Sequence, residues 1–180
     1  WSRNFMKWLR DEVVLLSDEK RTLMLLCDQV EHIRKDILAV TREIRRLSTT
    51  DKYKENYSLL TTVPGFGIVT SMSMLTEFDN NLMRFPNERK FVAILGLIPT
   101  CHNSGEKKVS GEKIHRGNKQ LGPLIIEASW IAIQRDYKLG CYYTNCCQSM
   151  KPQKAIIKVA RKLACKAYAV MKTKKAYVLS

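Results

Sequence analysis

Apolar residues recur every seven positions through the first fifty residues, and no Pro or Gly interrupts them before Pro64. Leu9, Leu16, Leu23, Val30, Ile37 and Ile44 make one row. Leu26, Ile33, Val40 and Leu47 make a second, three positions later. Two such rows, spaced about 3.5 residues apart on average, form the narrow seam of a coiled coil. Glu12 and Glu19 fall on the second row and weaken the seam at its start. Ser17, just ahead of Asp18 and Glu19, is a candidate N-cap, so residues 3–16 and 18–48 read either as one helix or as two. An intramolecular helical hairpin would bury part of the seam. No equally long apolar partner exists within the chain, which favours an intermolecular coil.

The 180 residues leave room for one or two domains. The net charge of +14 is uneven: residues 1–58 carry 12 Lys+Arg against 10 Asp+Glu, and residues 59–180 carry 19 against 7. The second part reads as facing nucleic acid, because clustered Lys and Arg displace counterions condensed on phosphates. Its cations are spread over several segments, unlike an amphipathic membrane anchor. No apolar run approaches the roughly 18 residues of a membrane span. The six cysteines (Cys27, Cys101, Cys141, Cys146, Cys147 and Cys165) form no C-x-x-C pair, which suits free thiols in a reducing cytoplasm. Cys101 and His102 with His115 lack the paired spacing of a structural zinc site, so no metal ligand is assigned. With no visible leader and Trp1 at the start, the chain reads as a fragment of a longer protein.

Thr49-Thr50-Asp51 breaks the long repeat and suggests a boundary between a coiled-coil linker (1–50) and a helical domain (51–180). A short helix from Lys52 to Thr61 is predicted next, then Val63-Pro64-Gly65-Phe66-Gly67, then an apolar helix to Phe78. This frame reads as a helix-hairpin-helix. Gly65 and Gly67 permit tight backbone geometry. Their amides, with those opening the second helix, suit a phosphate oxygen. A plain turn between two core helices is the other reading. Asn87 is a candidate cap for a helix to Leu95. Helices are also predicted from Asn118 to Arg135, broken near Gly122-Pro123, from Tyr137 to Met150, and from Pro152 to Lys175. In the last, Ile156, Val159, Ala160, Leu163, Ala167 and Val170 share an apolar face. Lys158, Arg161 and Lys162 lie off it, suited either to phosphate or to plain solvation. Tyr142, Tyr143 and Tyr168 read as core or interface residues. The predicted fold class is all-α, with room for a small β-hairpin at 100–115.

Between these helices, residues 96–117 hold five of the turn-forming Gly and Pro residues and few apolar ones, and read as a loop. Ser104-Gly105 lies there beside Lys107, Lys108, Lys113, His115 and Arg116. A hydroxyl among fixed cations is a place to hold and attack a phosphodiester. Ser110-Gly111 is a second such pair. A Ser hydroxyl needs a base, metal or cation to activate it, and the loop offers cations with no convincing base.

The order of these pieces carries a resemblance. Val63-Pro64-Gly65-Phe66-Gly67 is followed by Arg84-Phe85-Pro86, Gly96-Leu97-Ile98-Pro99, Ser104-Gly105, Arg116-Gly117-Asn118 and Ala160-Arg161-Lys162-Leu163. Over residues 57–172 this resembles the C-terminal transposase domain of the insertion-sequence family that includes the Piv DNA invertase, the DEDD-type transposases. The resemblance implies that Ser104 attacks the DNA backbone together with the metal-binding carboxylates of a RuvC-like domain, which nothing in this sequence resembles. It implies divalent metal (Mg) for that domain and no cofactor in this chain, so the fragment is predicted inactive alone. Gly105, Lys107, Lys108, Lys113, His115 and Arg116 would contact the backbone, with Asn118 orienting the loop or capping the next helix. The implied partners are DNA, a guide (bridge) RNA as in some members, and further copies through the coil as dimer or tetramer. The implied location is a bacterial or archaeal cytoplasm, at the nucleoid. A non-catalytic nucleic-acid-binding and oligomerisation module is the second reading, and a coiled-coil assembly protein with a basic tail the third.

Overall fold

A computed structural model describes residues 2–104, 107–113 and 117–179, with side chains described outside Met83, 99–104 and 107–113. The chain forms two compact units, one ending at Arg46 and one beginning at Leu47. The architecture is all-α, with one two-stranded pairing among the described residues.

The first unit contains two helices, α1 (Arg3–Asp11) and α2, which runs over Ser17–Ser48 into the start of the second unit. Ser2 caps α1, its Oγ accepting from the Phe5 N–H at 3.1 Å. Lys20 Nζ holds the turn between the helices, donating to the carbonyls of Arg10 at 2.7 Å and Val13 at 2.9 Å. Arg10 then reaches Asp28 at 2.8 Å and Glu31 at 3.3 Å, fastening α1 to the N-terminal half of α2. The hydrogen bond to Asp28 raises the Arg10 pKa above its ordinary value. Met6 and Cys27 are buried.

The start of α2 lies one residue earlier than Ser17 as N-cap predicts. Lys20 N–H donates to the Leu16 carbonyl at 2.8 Å, so Leu16 stands at the cap position. Glu19 reaches back to the Leu16 N–H at 3.3 Å, the acidic half of a capping box. With 32 residues, α2 is about 48 Å long. The nine residues of α1 match only its beginning. Leu26, Ile33, Ile37 and Val40 of the seam are 54%, 55%, 59% and 58% exposed.

In the second unit follow α3 (Lys54–Leu60), α4 (Ile68–Glu77), a 3-10 turn (Leu82–Arg84) and α5 (Glu88–Ile94). After them come β1 (Pro99–Ser104), β2 (Lys107–Lys113), α6 (Leu121–Arg135), α7 (Tyr137–Cys147) and α8 (Pro152–Thr173). The organiser is α8, which packs against α3, α5, α6, α7 and the 3-10 turn. All six residues of its predicted apolar face are buried. Phe78, Phe85, Phe91 and Tyr168 form an aromatic cluster with successive centroids 5.0–5.7 Å apart. The Tyr168 hydroxyl donates to the Phe85 carbonyl at 2.7 Å, so this polar tip is satisfied inside the core.

The helix boundaries depart from the sequence reading at several points. Gly122-Pro123 does not break α6; it lies inside its first turn. A proline there loses nothing, because the first amides of a helix have no intrahelical acceptor. Asn87 caps α5 as predicted, accepting from the Lys90 N–H at 3.0 Å. Toward the C-terminus α7 ends at Cys147, short of Met150. Likewise α8 stops at Thr173 because Lys174 turns left-handed, with φ of 54°.

Candidate nucleic-acid interface

Between α3 and α4 the chain makes a turn whose two glycines do different work. Val63, Pro64 and Phe66 are buried beneath it. Gly65 has φ of +82°, and a Cβ there would meet the Ala128 carbonyl oxygen of α6 at 2.0 Å. Its requirement for glycine comes from packing against α6. Gly67 is extended, exposed, and has nothing within 4 Å of a would-be Cβ. It is the N-cap of α4, with no side-chain capping bond and no acidic residue in the first turn. The first intrahelical bond joins Ser71 N–H to the Gly67 carbonyl at 3.0 Å, so the amides of Ile68, Val69 and Thr70 precede the ladder. Such amides carry the positive end of the helix dipole and suit an anion.

The other end of the α3/α4 pair is stitched shut. Lys52 donates to Asp79 at 2.9 Å, and this bond holds the Asp79 carboxyl below its ordinary pKa. Asn56 donates to Asn80 Oδ1 at 2.8 Å, and Asn80 Nδ2 bonds the Lys52 carbonyl. Asp79 and Asn80 adopt φ of 48° and 57°, the left-handed region that Asn and Asp tolerate better than most residues.

The segment bearing Ser104 leaves and rejoins the helical body at one place. A Cβ on Gly117 would lie 2.2 Å from Gly96 Cα, so the two backbones touch. Asn118 N–H donates to the Ile94 carbonyl at 2.6 Å, and its Nδ2 to Glu77 at 2.8 Å. Its Oδ1 accepts from the amides of Gln120 and Leu121 at 2.9 Å and 2.8 Å. Asn118 therefore caps the start of α6 and ties it to the ends of α4 and α5. Gly67 and Glu77 mark opposite ends of α4, about 15 Å apart for ten residues.

Within the excursion, β1 and β2 pair antiparallel, with an irregularity between Pro99 and Cys101. The register sets Ser104 opposite Lys107, Asn103 opposite Lys108, Cys101 opposite Ser110 and Pro99 opposite Lys113. Gly105, His115 and Arg116 lie outside the described residues.

A third region is the outer face of α8. Lys158, Arg161 and Lys162 are exposed there, as is Lys154. Lys162 Nζ sits 4.2 Å from the centroid of the Tyr142 ring on α7, a cation–π contact. Sequence reasoning missed this pairing, although a signal exists. No Asp or Glu follows Asp136, while ten Lys and Arg do, so α7 and α8 have no acids of their own to neutralise these cations. Among the described residues, no three His, Cys, Asp or Glu side chains gather as a metal ligand set. No helix among them is long and apolar enough to cross a membrane.

Comparison with known proteins places these parts in context. Residues 57–144 match the model of the Transposase IS116/IS110/IS902 family. The match runs from within α3 through the glycine turn and the Ser104 strand into α7. The chain is 28% identical over 116 residues, 64% of its length, to a transposase for insertion sequence element IS1328 from Yersinia enterocolitica. It is 28% identical over 121 residues, 67% of its length, to a transposase for insertion sequence element IS1111A from Coxiella burnetii. The matched regions span 31% and 32% of those two relatives, about a third of each. Over residues 57–144, then, the chain carries a segment similar to the IS116/IS110/IS902 transposase domain, and it is a distant relative of insertion-sequence transposases.

Proposed function

We propose that this chain is the DNA-binding, serine-bearing part of an insertion-sequence transposase or site-specific recombinase, of the Piv-like DEDD type. The observation that carries the reading is the extent of the family match. It takes in both the open amide turn at Gly67 and Ser104. In this reading α3, the turn and α4 act as a helix-hairpin-helix. The amides of Gly67, Ile68 and Val69 hold one backbone phosphate, and Lys158, Arg161 and Lys162 hold others. Gly65 supports the turn from beneath. Gly105, Lys107, Lys108, Lys113, His115 and Arg116 flank the scissile phosphate, and Asn118 fixes the base of their segment.

The chemistry assigned to Ser104 is phosphoryl transfer. Its oxygen forms an ester bond to phosphorus as the bond from phosphorus to one DNA strand oxygen breaks, and the proton lost by the serine hydroxyl ends, through solvent, on that leaving oxygen. Nearby cations stabilise the charge that builds on the phosphoryl oxygens. Divalent metal, held by carboxylates of a RuvC-like domain, would supply Lewis acidity when that domain is engaged. This chain alone is therefore expected to bind and not to cut. The exposed seam of α2 supports assembly of copies as a dimer or tetramer through a coiled coil, and a guide (bridge) RNA is a second ligand for the basic faces. The setting is a bacterial or archaeal nucleoid.

The test begins with binding. Titrating salt against labelled duplex DNA and structured RNA should give a steep linear fall of log affinity with log salt. Absence of binding at low salt would sink the reading. Restoring the chain to a full-length transposase and introducing Ser104→Ala should abolish recombination and leave binding intact. Recombination that survives the change would reduce the chain to a non-catalytic binding and oligomerisation module.

A further inference from the structure

The segment after α8 crosses back over the helices that carry the glycine turn. Lys174 ends α8 and lies 3.2 Å from Glu55, and its Nζ also bonds Asn56, both on α3. Three residues on, the backbone N–H of Tyr177 donates to Thr62 Oγ1 at 2.8 Å, just past the end of α3. The Tyr177 hydroxyl donates to Asp136 Oδ2 at 2.6 Å. Lys166 of α8 sits 4.9 Å from the centroid of the Tyr177 ring.

Asp136 is fully buried, and its Oδ1 caps α7 by accepting the Leu139 N–H at 2.9 Å. A buried carboxylate is tolerated only when well hydrogen-bonded, so the phenol is held firmly in place. The Tyr177 backbone is then fixed beside Thr62. On another side, Gly65 lies against Ala128 of α6. The turn at 62–67 is thus gripped through Thr62 by the C-terminal segment and through Gly65 by α6. Gly67 is left open.

We propose that residues 174–179 form a latch, and that Tyr177 is a positioning residue that holds the α3–α4 turn so that the amides of Gly67, Ile68 and Val69 stay presented together. The consequence for binding rests on the phosphate-holding function proposed above, whereas the hold on the turn does not. A turn fixed in advance loses less conformational freedom when it meets its ligand, and affinity rises accordingly.

The experiment compares the 180-residue chain with Tyr177→Phe, Thr62→Val and Thr62→Ser. Hydrogen exchange by mass spectrometry reads residues 59–70 against those of α2, and duplex affinity is measured across a salt series well below the melting temperature. Tyr177→Phe should speed exchange at 62–67 by about three- to tenfold, the effect of one hydrogen bond, and Thr62→Val, which also removes the bond from Thr62 Oγ1 to the Leu59 carbonyl at 2.6 Å, by at least as much. Exchange in α2 should stay the same. Duplex affinity should fall several-fold at every salt concentration with an unchanged log–log slope, because no phosphate contact has been removed. Thr62→Ser, which keeps the hydroxyl, should restore both. Unchanged exchange at 62–67 in both variants overturns the latch. A lowered melting temperature with wild-type affinity overturns its positioning role and leaves Tyr177 a stabiliser. If exchange responds as expected but the parent chain binds no duplex at low salt, the latch stands and the nucleic-acid function falls.

Discussion

Helices α2 and α8 carry similar apolar periodicity and meet opposite fates. Leu163 and Val159 of α8 are fully buried, while Ile33 and Ile37 of α2 are more than half exposed. Periodicity dictates that each segment can be a helix with one apolar stripe. It does not supply what covers the stripe. Helices α3, α5, α6 and α7 converge on α8. Within its own unit α2 has α1, fastened by Arg10 near Asp28 and Glu31. An amphipathic stripe is thus a statement of need, and the rest of the chain decides how much of that need is met internally.

The sharpest way to break this contrast is substitution on each stripe. Leu163→Ala in α8 should cost about 2–5 kcal/mol in denaturant unfolding of the second unit, the usual loss for a buried leucine. Ile37→Ala in α2 should stay within about 0.5 kcal/mol for the monomer. Analytical ultracentrifugation of an Ile33→Asp, Ile37→Asp double variant should show dissociation of any assembly. An equal mass for parent and variant would mean that the exposed stripe joins no copies.

A second contrast lies wholly on the compact side. Gly65→Ala sets a Cβ against the Ala128 carbonyl in a left-handed backbone, so a loss of about 1–3 kcal/mol or more is expected on thermal melting. Gly67→Ala has room and an ordinary φ, so its loss should be limited to the roughly 0.5–1 kcal/mol by which Ala is the poorer N-cap residue.

Smaller effects should appear with pH. Burial above all, then the hydrogen bond to Asp136, raises the Tyr177 phenol well above its ordinary pKa of about 10. A raised folded-state pKa gives stability that is complete below the unfolded value and lost as pH rises. The chain should therefore weaken above about pH 10, and Tyr177→Phe should flatten that decline in a pH series of urea melts. The smallest effect belongs to Ser71, whose buried hydroxyl has no hydrogen-bond partner among the described residues. Ser71→Ala should be neutral or stabilise by up to about 1 kcal/mol. A clear loss would reveal a partner for it.

Where residues act on their own neighbours in sequence, the structure follows the pattern. Asn87 caps α5 and Pro152 opens α8, both through contacts within a turn of each residue, and the apolar stripe of α8 is legible as a stripe although distant helices bury it. The departures arise where distant groups decide. Nothing local shows why position 65 must be glycine, since its packing partner is Ala128, sixty-three positions later, a role separate from the phosphate contact read for its amide. The latch rests on Tyr177 meeting Thr62 and Asp136, and neither spacing is a motif. The Leu16 cap depends on a Glu19 reach that competes with a plausible Ser17 alternative. Ser104 is legible as a residue of interest through its Gly neighbour and surrounding lysines, and the strand register adds its place opposite Lys107.

The contact between Gly96 and Gly117 has a consequence for how such a protein can change over generations. Because the ends of the intervening segment already touch, the helical body is indifferent to how much chain lies between them. Closing a flexible loop costs only about 0.6 kcal/mol more for each doubling of its length. Insertions and deletions there are cheap for the scaffold, while Asn118 keeps the junction in register with α4, α5 and α6. The segment that carries Ser104 can diversify on a fixed chassis.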